Sequence, residues 1–286
     1  MVWYNKLKKM KRNSIFYLLA IVMVTVFSAG LFSCNSDNEE SNTDAPKRLA
    51  RLIKEYIDTD GVGKNRGNVS FSYDSEGRVV SFVNNIQDNN YSDFIESRYQ
   101  YGDNYIFNEE IEDVNTGYNQ WLSIERHKYS IENGLIVSDS TIRNNGSNMR
   151  VLTYTYDDEN RLVAITTKSY GSSGYTTEFV WEDGNLIKMN DGDYSFSYDY
   201  TTLLWKKGIA TTFGFVLDAF LWDAGYFGKR SQNLPYGYRY RGNYNFDSGY
   251  YSYEYGFSNG LVSEIIEKHE KNDGSIYKFV STLLWE

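Results

Sequence analysis

Through most of this chain apolar and polar residues alternate one for one. Val69, Phe71 and Tyr73 are interleaved with Ser70 and Ser72, the period-two signature of strands with one face buried and one wet. After Tyr73 comes Asp74-Ser75-Glu76-Gly77-Arg78, then a second apolar run, Val79-Val80-Ser81-Phe82. The same order returns as Tyr154-Thr155-Tyr156, Asp157-Asp158-Glu159-Asn160-Arg161 and Leu162-Val163-Ala164-Ile165. Gly77 and Asn160 occupy one slot, and both residue types tolerate the left-handed backbone of a tight hairpin. Weaker copies centre on Tyr101, on Tyr129 before Asn133-Gly134, on Trp181 before Gly184-Asn185, on Tyr198, and on Tyr255 before Asn259-Gly260. Aromatics at 73, 101, 129, 156 and 181 recur every 25 to 28 residues, room for two strands and two turns. The pattern predicts a mainly β protein: a large antiparallel meander of repeated hairpins, about twelve or more strands, in an open or barrel-like sheet.

Two stretches depart from period two. Leu49, Leu52, Ile53, Tyr56 and Ile57 fall at i, i+3, i+4, i+7 and i+8 and predict a short N-terminal helix over Lys47 to Asp58. The second departure is a dense apolar block from Phe213 to Trp222. Its spacing predicts a buried helix that turns Phe213, Val216, Leu217 and Phe220 to the sheet and Asp218 away. Gly225 to Pro235 reads as a loop, strands resume at Tyr236, and Ile276 to Trp285 is the last of them. Residues 47–286 thus form a single all-β domain with a helical insertion at about 203–235.

Ahead of the domain, Lys6, Lys8, Lys9, Lys11 and Arg12 precede an uncharged apolar run from Ile15 to Phe32, and then Ser33-Cys34. A basic start, an apolar core and small residues before a cut make residues 1–33 a secretory leader. Cys34, the one cysteine of the chain, resembles the lipobox cysteine of bacterial lipoproteins, whose thiol is acylated after cleavage. Residues 34–46 are a short acidic tether, similar to the surface-export signal of Bacteroidetes-type lipoproteins. The expected address is the outer membrane, reached through the lipid anchor, with the domain on the cell surface. The alternative is an uncleaved membrane helix, since eighteen apolar residues just reach across a bilayer.

Cleavage before Cys34 removes 33 of the 286 residues and five of the 29 basic ones. What remains has 24 basic against 38 acidic side chains, a net −14. That balance repels a phosphate backbone, and no basic stretch with interleaved aromatics occurs, so nucleic acid is excluded as a partner. With no second cysteine there is no internal disulfide, and packing falls to 27 Tyr, 16 Phe and 6 Trp. Ser, Thr, Asp and Lys on both strand faces argue against a barrel embedded in lipid.

Two resemblances attach to these motifs. Phe71 through Val79 and Tyr154 through Leu162 look like single YD repeats, the hairpin units of large secreted shell proteins. The wider match, running from the lipobox through the Tyr-x-Tyr hairpins to Gly225-Tyr226-Phe227-Gly228-Lys229-Arg230-Ser231-Gln232-Asn233-Leu234-Pro235, resembles a Bacteroidetes lipoprotein family of unknown function with a porin-like fold. It implies a barrel-like antiparallel sheet on an exported lipoprotein, and it brings no catalytic residues.

The chemistry is sparse. His127 and His269 are the two histidines. His269-Glu270 lacks a second His four residues on, and His127 reads as a strand side chain facing solvent or a neighbour. No Gly-x-Ser-x-Gly elbow or phosphate loop occurs, and no catalytic residue, metal ligand or cofactor is assigned. Carboxylates are more plentiful: Glu109, Glu110, Glu112 and Asp113, then Asp157 to Glu159, then Glu182 and Asp183. A glycosidase needs only two of them, but most stand in the turn slot of the repeat. Tyr236, Tyr238 and Tyr240, which share a face in a period-two strand, are the candidate ligand contacts. Tyrosine stacks on sugar rings, although it is also an ordinary half-buried sheet residue. The leading expectation is a non-catalytic binding module for an extracellular glycan or other polymer. A carbohydrate-active enzyme using a carboxylate pair and a structural envelope protein are the alternatives, and no feature bears on oligomeric state.

Overall fold

The computed structural model describes residues 48–57, 63–88, 91–116, 119–142, 148–169, 171, 173–204, 221–222, 224–242, 248–272 and 274–286. The leader, Cys34 and the tether lie outside them. Sixteen strands follow in order: β1 (Leu49–Ile57), β2 (Gly63–Tyr73), β3 (Val79–Asp88), β4 (Tyr91–Tyr101), β5 (Tyr105–Asn115), β6 (Gln120–Glu132), β7 (Leu135–Ile142) and β8 (Asn148–Tyr156). Then come β9 (Leu162–Ser169), β10 (Tyr175–Glu182), β11 (Asn185–Asn190), β12 (Tyr194–Leu204), β13 (Asn233–Gly242), β14 (Ser248–Ser258), β15 (Leu261–Lys271) and β16 (Ile276–Trp285). Each pairs antiparallel with its neighbours in sequence, and β1 pairs with β16, so the meander closes into a barrel. Arg48 and Glu286 complete the seam, each backbone N–H donating to the other's carbonyl at 2.8 Å.

The expected N-terminal helix is instead β1, and a bulge is the reason. The β1–β16 register shifts between Leu49 and Arg51, so an extra residue separates two inward side chains, Leu49 and Leu52. Three-residue spacing therefore arises in a strand, and ordinary alternation then brings Lys54 inside, 6% exposed. Of the expected inserted helix only Leu221 and Trp222 are described; both are helical and buried. Phe213, Val216, Leu217 and Phe220 lie outside the described residues. Strand β13 begins at Asn233, three residues before the expected start.

At the end of the barrel where even-numbered strands finish, the near rim, the repeat has a repeating structure. Asp74 Oδ1 accepts the N–H groups of Glu76 and Arg78 at 2.9 Å each, while Arg78 Nε donates to Oδ2 at 2.7 Å. Asp157 does the same for Glu159 and Arg161, at 3.0, 2.9 and 2.7 Å. Gly77 has φ 82° and Asn160 φ 60°, the left-handed conformation expected of that slot.

Just inside these turns, each hairpin except β4–β5 carries a register shift. Such a bulge takes one residue out of the ladder, and an aromatic on the following even strand hydrogen-bonds the carbonyl beside it. Tyr73 Oη donates to Leu49 O at 2.9 Å, Tyr101 to Val79 at 2.8 Å, Tyr156 to Ile136 at 2.7 Å, Tyr200 to Leu186 at 2.7 Å and Tyr255 to Pro235 at 2.9 Å. Trp181 and Trp285 donate through Nε1 to Leu162 and Val262, at 2.9 and 2.8 Å. Strand β6, which follows the unshifted hairpin, has Ile131 in the corresponding place. Bulge and aromatic come as a pair.

A sixteen-stranded barrel is wide enough for a water-filled channel if its inner side chains are small. Here they are Tyr, Phe, Leu and Ile from all around the wall, and they meet in one cluster. Outside, Arg98 grips Glu96 at 2.8 Å and Arg126 grips Glu109 at 2.6 Å, and Lys268 pairs with Glu254. Charged side chains on a lipid-facing wall cost about 2–4 kcal/mol each near the bilayer midplane. The described outer wall thus carries ion pairs among exposed side chains, and the apolar cluster faces inward.

The segment from Leu221 to Gln232 crosses the near rim. Phe227, 0% exposed, packs against Tyr154 and Tyr129 at ring separations of 5.1 and 6.4 Å, and Tyr226 stacks on Tyr101 at 6.2 Å. Ile136 N donates to Tyr226 O, Lys229 N to Asn160 O, and Gln232 N to Gly184 O. Gly228 sits so close to Asn160 O that a Cβ would lie 2.1 Å away. The segment plugs this end of the barrel.

Candidate functional site

The inner face changes character away from the plug. Along β6 the inward residues run Tyr129, His127, Glu125, Ser123, Trp121, with exposure rising from 5% at Tyr129 to 39% at Trp121. Along β10 Phe179 is 5% and Thr177 0% exposed, and Tyr175 at the strand's start is 52% exposed. On these two strands exposure is greatest at the far rim.

Strands β4 to β8 line this region with charge. Register places Ser97 beside Glu110 and Glu110 beside Glu125, with Ile95, Glu112 and Ser123 in the next row. Ser97 Oγ donates to Glu110 Oε2 at 3.1 Å. His127 Nδ1 lies 3.0 Å from Asp139 Oδ2, and its Nε2 lies 3.7 Å from Glu125. Burial pulls the imidazolium of His127 down, but the hydrogen bonds to Asp139 and Glu125 outweigh it and push the group up to about 10. Glu112 moves the other way for a carboxylate. Burial, then the charges of Asp93, Glu110 and Glu125, push it up to about 7.

Eight strands around the ring stands the opposite wall, β13 to β15, and it is aromatic. Tyr238 stacks on Tyr251 at 4.6 Å, Tyr251 on His269 at 4.0 Å, and Tyr240 Oη lies 3.2 Å from His269 Nε2. Burial, then the nearby Lys271, push His269 down to about 4, so its ring is neutral at pH 7. The Lys54 ammonium lies 4.7 Å from the ring of Phe279 and is buried near Glu267. Burial lowers the lysine and raises the glutamate, each partly offset by the other's charge.

Between the walls several polar atoms are buried without a hydrogen-bond partner among the described residues: both amide atoms of Asn84, Asn108 Nδ2, and the hydroxyls of Thr141, Thr167 and Thr177. Their residues are at most 4% exposed. Such groups cost stability unless something hydrogen-bonds them, and a polyhydroxylated ligand can. No group of three His, Cys, Asp or Glu among the described residues is arranged to hold a metal ion.

The expected contacts are only partly brought together. Tyr238 is 4% exposed and belongs to the core, Tyr240 is half-buried on the aromatic wall, and Tyr236 is 53% exposed. They do not share a face. The β12–β13 register shifts where Asp199 opposes Gly237 and Tyr200 opposes Pro235, which leaves Tyr236 in a bulge. Among the carboxylates, Glu109 and Asp113 point outward to Arg126 and Gln120, Asp157 serves its turn, and Glu182 and Asp183 are exposed. Glu110 and Glu112 line the lumen. His127 faces a neighbour rather than solvent. Asp93, Glu125, Asp139 and Arg150 were not anticipated, yet parity marks them: Asp93 alternates with Ile95, Ser97 and Tyr99, all on the buried face.

A porin-like protein from Bacteroides uniformis superposes with a TM-score of 0.56 at 14% identity, over 83% of this chain and 96% of that one. Another from Bacteroides vulgatus reaches 0.42 at 10% identity, over 83% and 98%. No curated protein matches. The solved relative shares the barrel, and the family model that describes a domain of unknown function with porin-like fold, DUF4595, matches residues 71–263, from β2 into β15. The chain belongs to that family.

Proposed function

We propose that the protein is a non-catalytic binding barrel of the cell surface, held to the outer membrane by a lipid on Cys34, that captures the end of an extracellular glycan in its lumen. The observation that carries this reading is the pairing of two walls. Tyr240, half-buried on the aromatic wall, offers its ring to the apolar side of a sugar, and the unpartnered amides and hydroxyls opposite suit its hydroxyl groups. Ligand pockets characteristically combine apolar lining with a few placed polar groups. The tether leads to Arg48, on the near rim with the plug, at the end of the barrel away from the far rim.

A glycan array probed with the purified protein, followed by calorimetry, tests it. A hit should lose about tenfold or more in affinity on Tyr240→Ala, while Tyr236→Ala leaves it unchanged. Equal binding by wild type and Tyr240→Ala would remove the lumen from consideration.

One observation favours a second reading, an enzyme. Glu112 is partly protonated at neutral pH beside other carboxylates, as a general acid must be. New reducing ends released from a bound glycan, and lost in Glu112→Gln, would establish that reading over simple capture.

A further inference from the structure

We propose that the ligand of the lumen is an organic cation: an ammonium group on a sugar or a short polyamine, seated against Glu110, Glu112 and Glu125. This rests on the lumen being the binding site and names the charge of what enters it.

Charge balance points this way first. Among the described residues, β4 to β8 turn five carboxyl groups inward, Asp93, Glu110, Glu112, Glu125 and Asp139, against two cations, His127 and Arg150. His127 engages Asp139 and Glu125. Ser97 Oγ donates to Glu110 as a neutral hydroxyl. Glu112 is half-buried and has no hydrogen bond or ion pair among the described residues; the groups that act on it are all carboxylates. A neutral ligand that dried the lumen would hold this carboxyl in its protonated form, whereas an ammonium group supplies the counter-charge that lets it ionise.

A second, independent observation lies in the same row. Asn84 opposes Ile95, which opposes Glu112. Asn84 is 2% exposed, and neither of its amide atoms has a partner. Its Oδ1 can accept an ammonium proton while Nδ2 donates to a neighbouring hydroxyl, and Asn108 Nδ2 offers a further donor two rows nearer the plug.

Divalent metal ions fit less well, since they need several ligands converging on one point and no such group occurs among the described residues.

The test is calorimetry on the full-length protein with three probes: a glucosamine tetramer, its fully N-acetylated form, and spermidine. Titrations run at pH 7 in low and high salt and in two buffers of different ionisation enthalpy. The amine forms should bind at least about tenfold more tightly than the acetylated one, lose affinity with salt, and release a proton as Glu112 ionises. Glu112→Gln should abolish the proton release and weaken binding about tenfold, whereas Glu109→Gln, on the outer wall, should change neither. Equal binding of the amine and acetylated tetramers overturns the cation proposal and leaves glycan capture standing. Spermidine binding with neither tetramer bound supports the cation and overturns glycan capture. Binding of none of the three overturns the cation proposal.

Discussion

Gly77 and Asn160 show how far a single position can be read. Both were expected at φ above zero because they share one slot of the repeat and both residue types tolerate the left-handed backbone of a tight hairpin, and both have that conformation. A β-branched residue at Gly77 would be strained by about 1–3 kcal/mol, and its Cβ would press to 3.1 Å from the Arg48 guanidinium. Gly77→Val should lower stability by about that amount in denaturant melts, and Asn160→Gly should leave it unchanged or slightly higher. The bulge-bound aromatics make a second prediction. Tyr156→Phe keeps the ring but strips the Ile136 carbonyl of its hydroxyl donor, so a loss of about 1–2 kcal/mol is expected on chemical denaturation. No change would mean that water replaces the hydroxyl at the rim. The hydroxyls were invisible in sequence, where Tyr73 and Tyr101 read only as anchors; a bulge has no reliable residue signature.

At the scale of strands, period two revealed the hairpins because each buries one face along its whole length. It failed where a bulge intervened. Leu49 and Leu52 imitated a helix, and Tyr236 was assigned the face of Tyr238, for one reason: an extra residue resets parity. The lumen was half legible. Glu110 and Glu112 stood out as carboxylates, but their meaning depends on strands β4, β6 and β7, which sequence places far apart. That cluster makes stability depend on pH. Glu112 rises from 4.5 to about 7 in the fold, so the folded state holds the extra proton between those values. Its contribution is complete below about 4.5 and lost as pH climbs through 7. His127 rises from 6.5 to about 10; its contribution is complete below 6.5 and lost as pH climbs through 10. Melts from pH 4 to 10 should show Glu112→Gln flattening the lower window relative to wild type, and His127→Gln the upper one. Parallel curves for wild type and both variants would place these groups in open water.

For the whole molecule, orientation of the wall matters more than the number of strands. Aromatics inside and ion pairs outside invert the arrangement of a lipid-embedded barrel, and the proposed link to the membrane is Cys34. Cys34→Ala should abolish incorporation of a fatty-acid label and release the protein from the membrane fraction. A label retained by Cys34→Ala would place the anchor elsewhere. The seam between Arg48 and Glu286 has a consequence of another kind. Because β1 and β16 pair as neighbours do everywhere else in the ring, the barrel has no privileged starting strand. A circular permutant that joins residue 286 to residue 48 by a short glycine-serine bridge and opens the chain at 133–134, where both residues are exposed, should give the wild-type circular dichroism spectrum and a cooperative melt. It would then begin at β7, with every hairpin but one intact, and would separate the order in which strands are synthesised from the order in which they close.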